Sequence, residues 1–139
     1  MICLDRRKKM FVHVMGKEER EKFLELIYKI ANIDGDYVAE EEELIDSYKA
    51  ELELSDIKDT DTIEEIIDYF SSKSESIRKI VLFEVYGMIN ADGKIDISEE
   101  KLFNLSQEKF GISEQQTKAI INVAEELQKV YDKVYDVLF

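Results

Sequence analysis

Two short stretches of this chain concentrate side-chain oxygens at a spacing that suits a hard cation. Asn32, Asp34, Gly35, Tyr37 and Glu41 follow the pattern Asn-x-Asp-Gly-x-apolar-x-x-x-Glu, and Asn90, Asp92, Gly93, Ile95 and Glu99 repeat it. If each loop folds back on itself, the aspartate before the glycine and the glutamate opening the next helix converge on one point. Carboxylate ligands of that kind suit calcium, magnesium or manganese. The candidate ligands are Asp34, Asp36 and Glu41 in the first stretch, and Asp92, Asp96 and Glu99 in the second. Two carboxylates about 5 Å apart repel by up to about 3 kcal/mol at an effective dielectric near 20. A bound cation reverses that sign.

The same residues have a structural reading. Glycine just past a helix supplies a left-handed C-terminal cap. Tyr37 and Ile95 then plug each loop into the core, and glutamates in the first turn of the next helix interact favourably with its dipole. Both readings stand at this point. A degenerate EF-hand is a further alternative, because glycine, five residues and glutamate form that loop's second half. Its opening aspartate is missing twice, however, with Ile30 and Met88 in that slot.

These loops need helices to hold them, and helical periodicity recurs along the whole chain. There is no proline, there are only five glycines, and alternating strand-like stretches are missing. The spacing predicts a short turn around residues 10–15, then helices over about residues 17–33 and 39–52. Thr62-Ile63-Glu64-Glu65 reads as a capping box for a short helix, and Ser72-Lys73-Ser74-Glu75 as another. The latter opens the most apolar helix, through Ile77, Ile80, Val81, Val85, Met88 and Ile89, which is expected to be central. Ser98 is expected to cap a helix ending at Gly111. Ser113 opens the last helix, with Ile120, Val123, Leu127, Val130, Val134 and Leu138 at three- and four-residue steps. The polar stretch 55–61 reads as a loose connection between two halves.

Those halves are copies. Residues 24–56 lie on residues 82–114 without a gap, so that Leu24 falls on Leu82, Tyr28 on Tyr86, Asn32 on Asn90, Asp34-Gly35 on Asp92-Gly93, and Leu44 on Leu102. The fold class that follows is all-α, a pseudo-symmetric bundle of about six to seven helices built from a duplicated helix–acidic loop–helix unit. One domain over residues 1–139 is expected, with halves at about 17–57 and 75–115 and a C-terminal helix at about 114–139.

The phrases ANIDGDYVAEEEELI and INADGKIDISEEKLF resemble the tellurite-resistance TerB-like family, in which Asp-Gly-x-apolar is followed by glutamate seven residues after the aspartate. Asp34 with Glu41 and Asp92 with Glu99 keep that spacing. Ile33, Asp96 and Ile97 depart from the residues common at those positions. The resemblance implies a helical module of bacterial stress-response systems whose acidic loops bind metal, acting by protein–protein interaction.

Composition narrows the function further. Charged residues make up 37% of the chain and the net charge is -13, a surface that repels nucleic acid and anionic membrane and attracts cations and basic partners. The basic run Arg6-Arg7-Lys8-Lys9 reads as a solvated terminus. A lone cysteine, Cys3, precludes an internal disulfide, and the absence of a signal-like apolar stretch makes a cytoplasmic location the expectation. No phosphate loop, nucleophile elbow or histidine metal triad is present, so no enzyme and no organic cofactor are expected. His13 reads as packed or half-exposed. Glu84 falls on a core-facing arc and is expected to reach the bundle's rim with its tail. Tyr28, Tyr86, Tyr131 and Tyr135 read as core or rim packing. The apolar end Val137-Leu138-Phe139 either closes the core or seeds a homodimer. A metal-free adaptor docking a basic protein partner is the alternative to a cation-binding module.

Overall fold

Side chains placed just ahead of the apolar runs decide where the last four helices begin. The computed structural model describes residues 14–33, 39–90 and 94–139, and among these the protein is all-helical with no strand. The helices are α1 (Lys17–Ala31), α2 (Ala39–Glu51), α3 (Ile63–Ser71), α4 (Glu75–Ile89), α5 (Ile97–Phe110) and α6 (Glu114–Leu138). The turn expected at residues 10–15, His13, Cys3 and the basic run lie wholly or largely outside the described residues.

Thr62 caps α3 as its sequence predicts: its hydroxyl accepts from the Glu65 N–H while Glu65 Oε1 accepts from the Thr62 N–H, both at 3.2 Å. Two expected caps are corrected. The cap of α4 is Ser74, which accepts from the Ile77 N–H at 3.3 Å, because Ser72 still belongs to the end of α3, where its hydroxyl donates to the Tyr69 carbonyl. The cap of α5 is Asp96, and Ser98 lies one residue inside the helix. Ser113 caps α6 as expected, accepting from the Gln116 N–H at 3.1 Å.

The copies seen in the sequence recur in the backbone. Helices α1 and α4 begin and end 58 residues apart, and α2 and α5 begin with the same offset. Asn32 and Asn90 close the first helix of each pair with near-identical dihedrals, φ -103 and ψ 7 against φ -100 and ψ 8. The second helices end alike too. Leu54 N–H donates to the Lys49 carbonyl at 2.9 Å, and Ile112 N–H to the Gln107 carbonyl at 3.3 Å. Each is the six-to-one bond of a Schellman turn, which demands a left-handed residue just before it. Gly111 fills that place in the second half with φ 64, and Glu53 fills it in the first with φ 58.

Helix α4 is central, as its two apolar sides predict, and packs against α1, α3, α5 and α6. Phe23, Leu26 and Ile27 of α1, Ile66 and Phe70 of α3, Val81, Leu82 and Val85 of α4, and Phe110 of α5 form the core around it. Burying a side chain of this size contributes roughly 1.5–3 kcal/mol, so these residues dominate the stability. The segment 55–61 is not loose. Its Asp61, Asp59 and Lys58 pair with Lys22, Lys29 and Glu21 of α1. Buried Glu25 accepts from the Asp61 N–H at 3.0 Å.

Candidate interaction surface and acidic loops

Helix α6 is the longest element, 25 residues, yet Thr117 is its one buried residue. Its inner side packs on α4 through Ile120, Ile121 and Ala124, and Tyr86 Oη donates to Glu125 Oε1 at 2.7 Å. Burial first, and then that bond, push the Tyr86 phenol up to about 12. The three- and four-residue stripe only begins on that side, at Ile120, and then runs off it. Val123 is 56% exposed, Val130 52%, Val134 38% and Val137 81%. Tyr135 and the final Leu138-Phe139 are also exposed, so the reading of Tyr135 as packed is corrected, and the apolar end does not close the core. Two reasons combine: Val123 lies beside the packed Ala124 but on a face turned away from α4, and further along α6 outruns the helices that could cover it.

Where α6 leaves α4, a groove of about 290 Å³ opens between α2, α4 and α6, walled by Leu44, Phe83, Met88, Leu127 and Tyr131. Glu84 and Tyr48 line its inner side. Glu84 does not reach the rim as expected. It is 2% exposed, and Tyr48 Oη donates to its Oε2 at 2.8 Å. A buried carboxylate needs such a donor. Tyr48 supplies it because a tyrosine on α2 reaches across to α4, with Phe23 set edge-on to its ring.

Of the six candidate metal ligands, Asp34, Asp36 and Asp92 lie outside the described residues, as does the side chain of Glu41. Asp96 and Glu99 are brought together, but by a reciprocal cap. Asp96 Oδ1 accepts from the Glu99 N–H at 2.8 Å, and Glu99 Oε1 accepts from the Asp96 N–H at 3.2 Å. Among the described residues no three acidic, histidine or cysteine side chains converge. Ile95 is 38% exposed and so does not plug its loop into the core as expected. Glu42 and Glu43 are exposed, in line with a solvated acidic face.

Two arginines escaped the reading of the sequence. Arg20 Nη1 donates to the Leu52 carbonyl at 2.7 Å, and Arg78 Nη1 donates to the Phe110 carbonyl. Each arginine on the first helix of a pair thus satisfies a carbonyl that the second helix leaves open at its end. The signal was available: Arg20 and Arg78 obey the same 58-residue offset, just ahead of the aligned segment. Among the described residues no helix is long and apolar enough to cross a membrane.

Comparison with protein-family models, with curated proteins and with solved structures finds no match. The TerB-like resemblance therefore rests on the Asp-Gly…Glu spacing and its duplication.

Proposed function

We propose that the protein is a non-enzymatic helical interaction module, in which the bundle of α1–α5 holds α6 out to a protein partner. The observation that carries this reading is the row of exposed valines on α6. Valine is a poor choice for the solvated face of a helix, since its branched side chain loses rotamer freedom there. A regular row of them on a folded helix is understandable as a surface that something covers. The net charge of -13 disfavours nucleic acid and anionic membrane as that something. The TerB-like resemblance suggests a cytoplasmic stress-response assembly as the setting. A photo-reactive residue at position 130, in cells producing the protein, should form protein adducts that the same residue at exposed Glu64 does not. Equal adducts at both positions, or none at 130, would remove the reading.

A second reading, supported by the repeated Asp34–Glu41 and Asp92–Glu99 spacing, adds weak binding of calcium, magnesium or manganese at the two loops. A cation at the second loop competes with the Asp96 N–H for Glu99 Oε1. Millimolar cation should then raise the melting temperature, and Asp34→Asn with Asp92→Asn should abolish the rise. A flat titration at low salt overturns it.

A further inference from the structure

We infer that the partner of α6 is a second copy of this chain, paired antiparallel along the valine row; the inference rests on the interaction reading above and names its partner. Val123, Leu127, Val130, Val134 and Val137 alternate by four and three residues without a break, the repeat of a two-stranded coiled coil. Such a seam on a free helix of this length would be marginal, because nucleating the helix costs more than a few layers return. Here the bundle has already ordered the first half of α6 against α4, so the seam starts from a formed helix.

The register follows from the spacing. In an antiparallel pair Val123 faces Val134 of the second copy and Leu127 faces Val130, and each pair recurs through the two-fold axis. This places the half of α6 that overhangs its own bundle along the bundle-supported half of the other. Tyr135, Leu138 and Phe139, exposed in the single chain, then lie beside the neighbouring bundle.

Charge selects this direction. Glu126 and Lys133 occupy equivalent positions one residue before Leu127 and Val134, on the flank of the seam turned away from α4. In an antiparallel pair like flanks meet, so Glu126 faces Lys133 of the second copy, twice per dimer. In a parallel pair that flank meets the positions of Ala124 and Tyr131, which offer no charge and pack toward their own bundle.

Sedimentation equilibrium of the full chain tests the pairing. The dimer is expected, with Val130→Lys leaving a monomer of unchanged helical circular dichroism. Glu126→Lys or Lys133→Glu alone makes both flank pairs repulsive and should weaken the dimer by about tenfold, as two exposed ion pairs warrant. The double variant should restore it to within about threefold, since it merely exchanges the charges. A chain that stays monomeric into the millimolar range overturns self-pairing, and so does a double variant that fails to recover. If the chain is monomeric while position 130 forms adducts with another protein, the interaction reading stands without self-pairing. If the chain dimerises by a route that Val130→Lys leaves intact, the seam is not the interface.

Discussion

The two copies of the helix pair share a backbone but receive different things on their outer faces. After the first copy, the chain returns along α1 as the segment 55–61, held by Lys22, Glu25 and Lys29. After the second, it returns along α4 as α6. The positions of Lys22, Glu25 and Lys29 are there taken by Ile80, Phe83 and Gly87, which meet an apolar helix face. One scaffold has thus been given a polar seat for a loop and an apolar seat for a helix. The backbone of a pair is specified by its shared residues, and what docks on it by a few residues that differ.

The interior shows the same division. Leu26 in α1 is replaced at the equivalent place in α4 by Glu84, and both are buried. The substitution is matched on the second helices, where Tyr48 donates to Glu84 but its counterpart Ser106 turns its hydroxyl back to the Leu102 carbonyl of its own helix. Moving the carboxylate should therefore break the comparison with the largest effect. Leu26→Glu places an uncompensated charge in the core and should cost about 3–5 kcal/mol in urea unfolding. Tyr48→Phe, which removes the donor to Glu84, should cost about 1.5–3 kcal/mol. Adding Glu84→Leu to Tyr48→Phe should recover most of that loss, because an apolar pair then replaces a polar one. Additive losses in the double variant would mean that the tyrosine and the glutamate are not coupled.

The sequence reveals the shared parts of the copies more readily than the differing ones. The repeat, the central place of α4, the caps at Thr62 and Ser113 and the stop at Gly111 all follow from local residue chemistry. Periodicity on α6 is also correct, but a stripe of valines looks the same whether it faces a core or solvent. What separates the two is which face α4 covers and how far along α6 it reaches, and neither is written in the periodicity. Glu84 was legible as an oddity, and its partner was not, because Tyr48 comes from another helix 36 residues away. The arginines went unread for the same reason: each satisfies a carbonyl 32 residues further along the chain. For the acidic loops, Asp96 and Glu99 carry the pattern of a cap and of a ligand pair at once, and the described geometry realises the cap.

The smallest effect probes the turn that closes both copies. Glu53 and Gly111 hold the same left-handed place, φ 58 and φ 64, but only glycine is at ease there. A side chain in that region costs about 1–2 kcal/mol, partly offset because glycine gives the unfolded chain roughly 0.5–1 kcal/mol of extra freedom. Gly111→Ala should thus lose about 1 kcal/mol; a Cβ there meets nothing nearer than Arg78 Nη1 at 3.9 Å, so the loss is one of backbone, not crowding. Glu53→Gly should gain roughly 0.5 kcal/mol, since the carboxylate it removes is well exposed and only 3.9 Å from Arg20 Nη1, an ion pair worth little. Chemical denaturation of both variants reads the signs directly. Opposite signs would show that the turns are strained and relaxed versions of one structure; a loss in both would mean that Glu53 serves the first turn in some way its twin does not need.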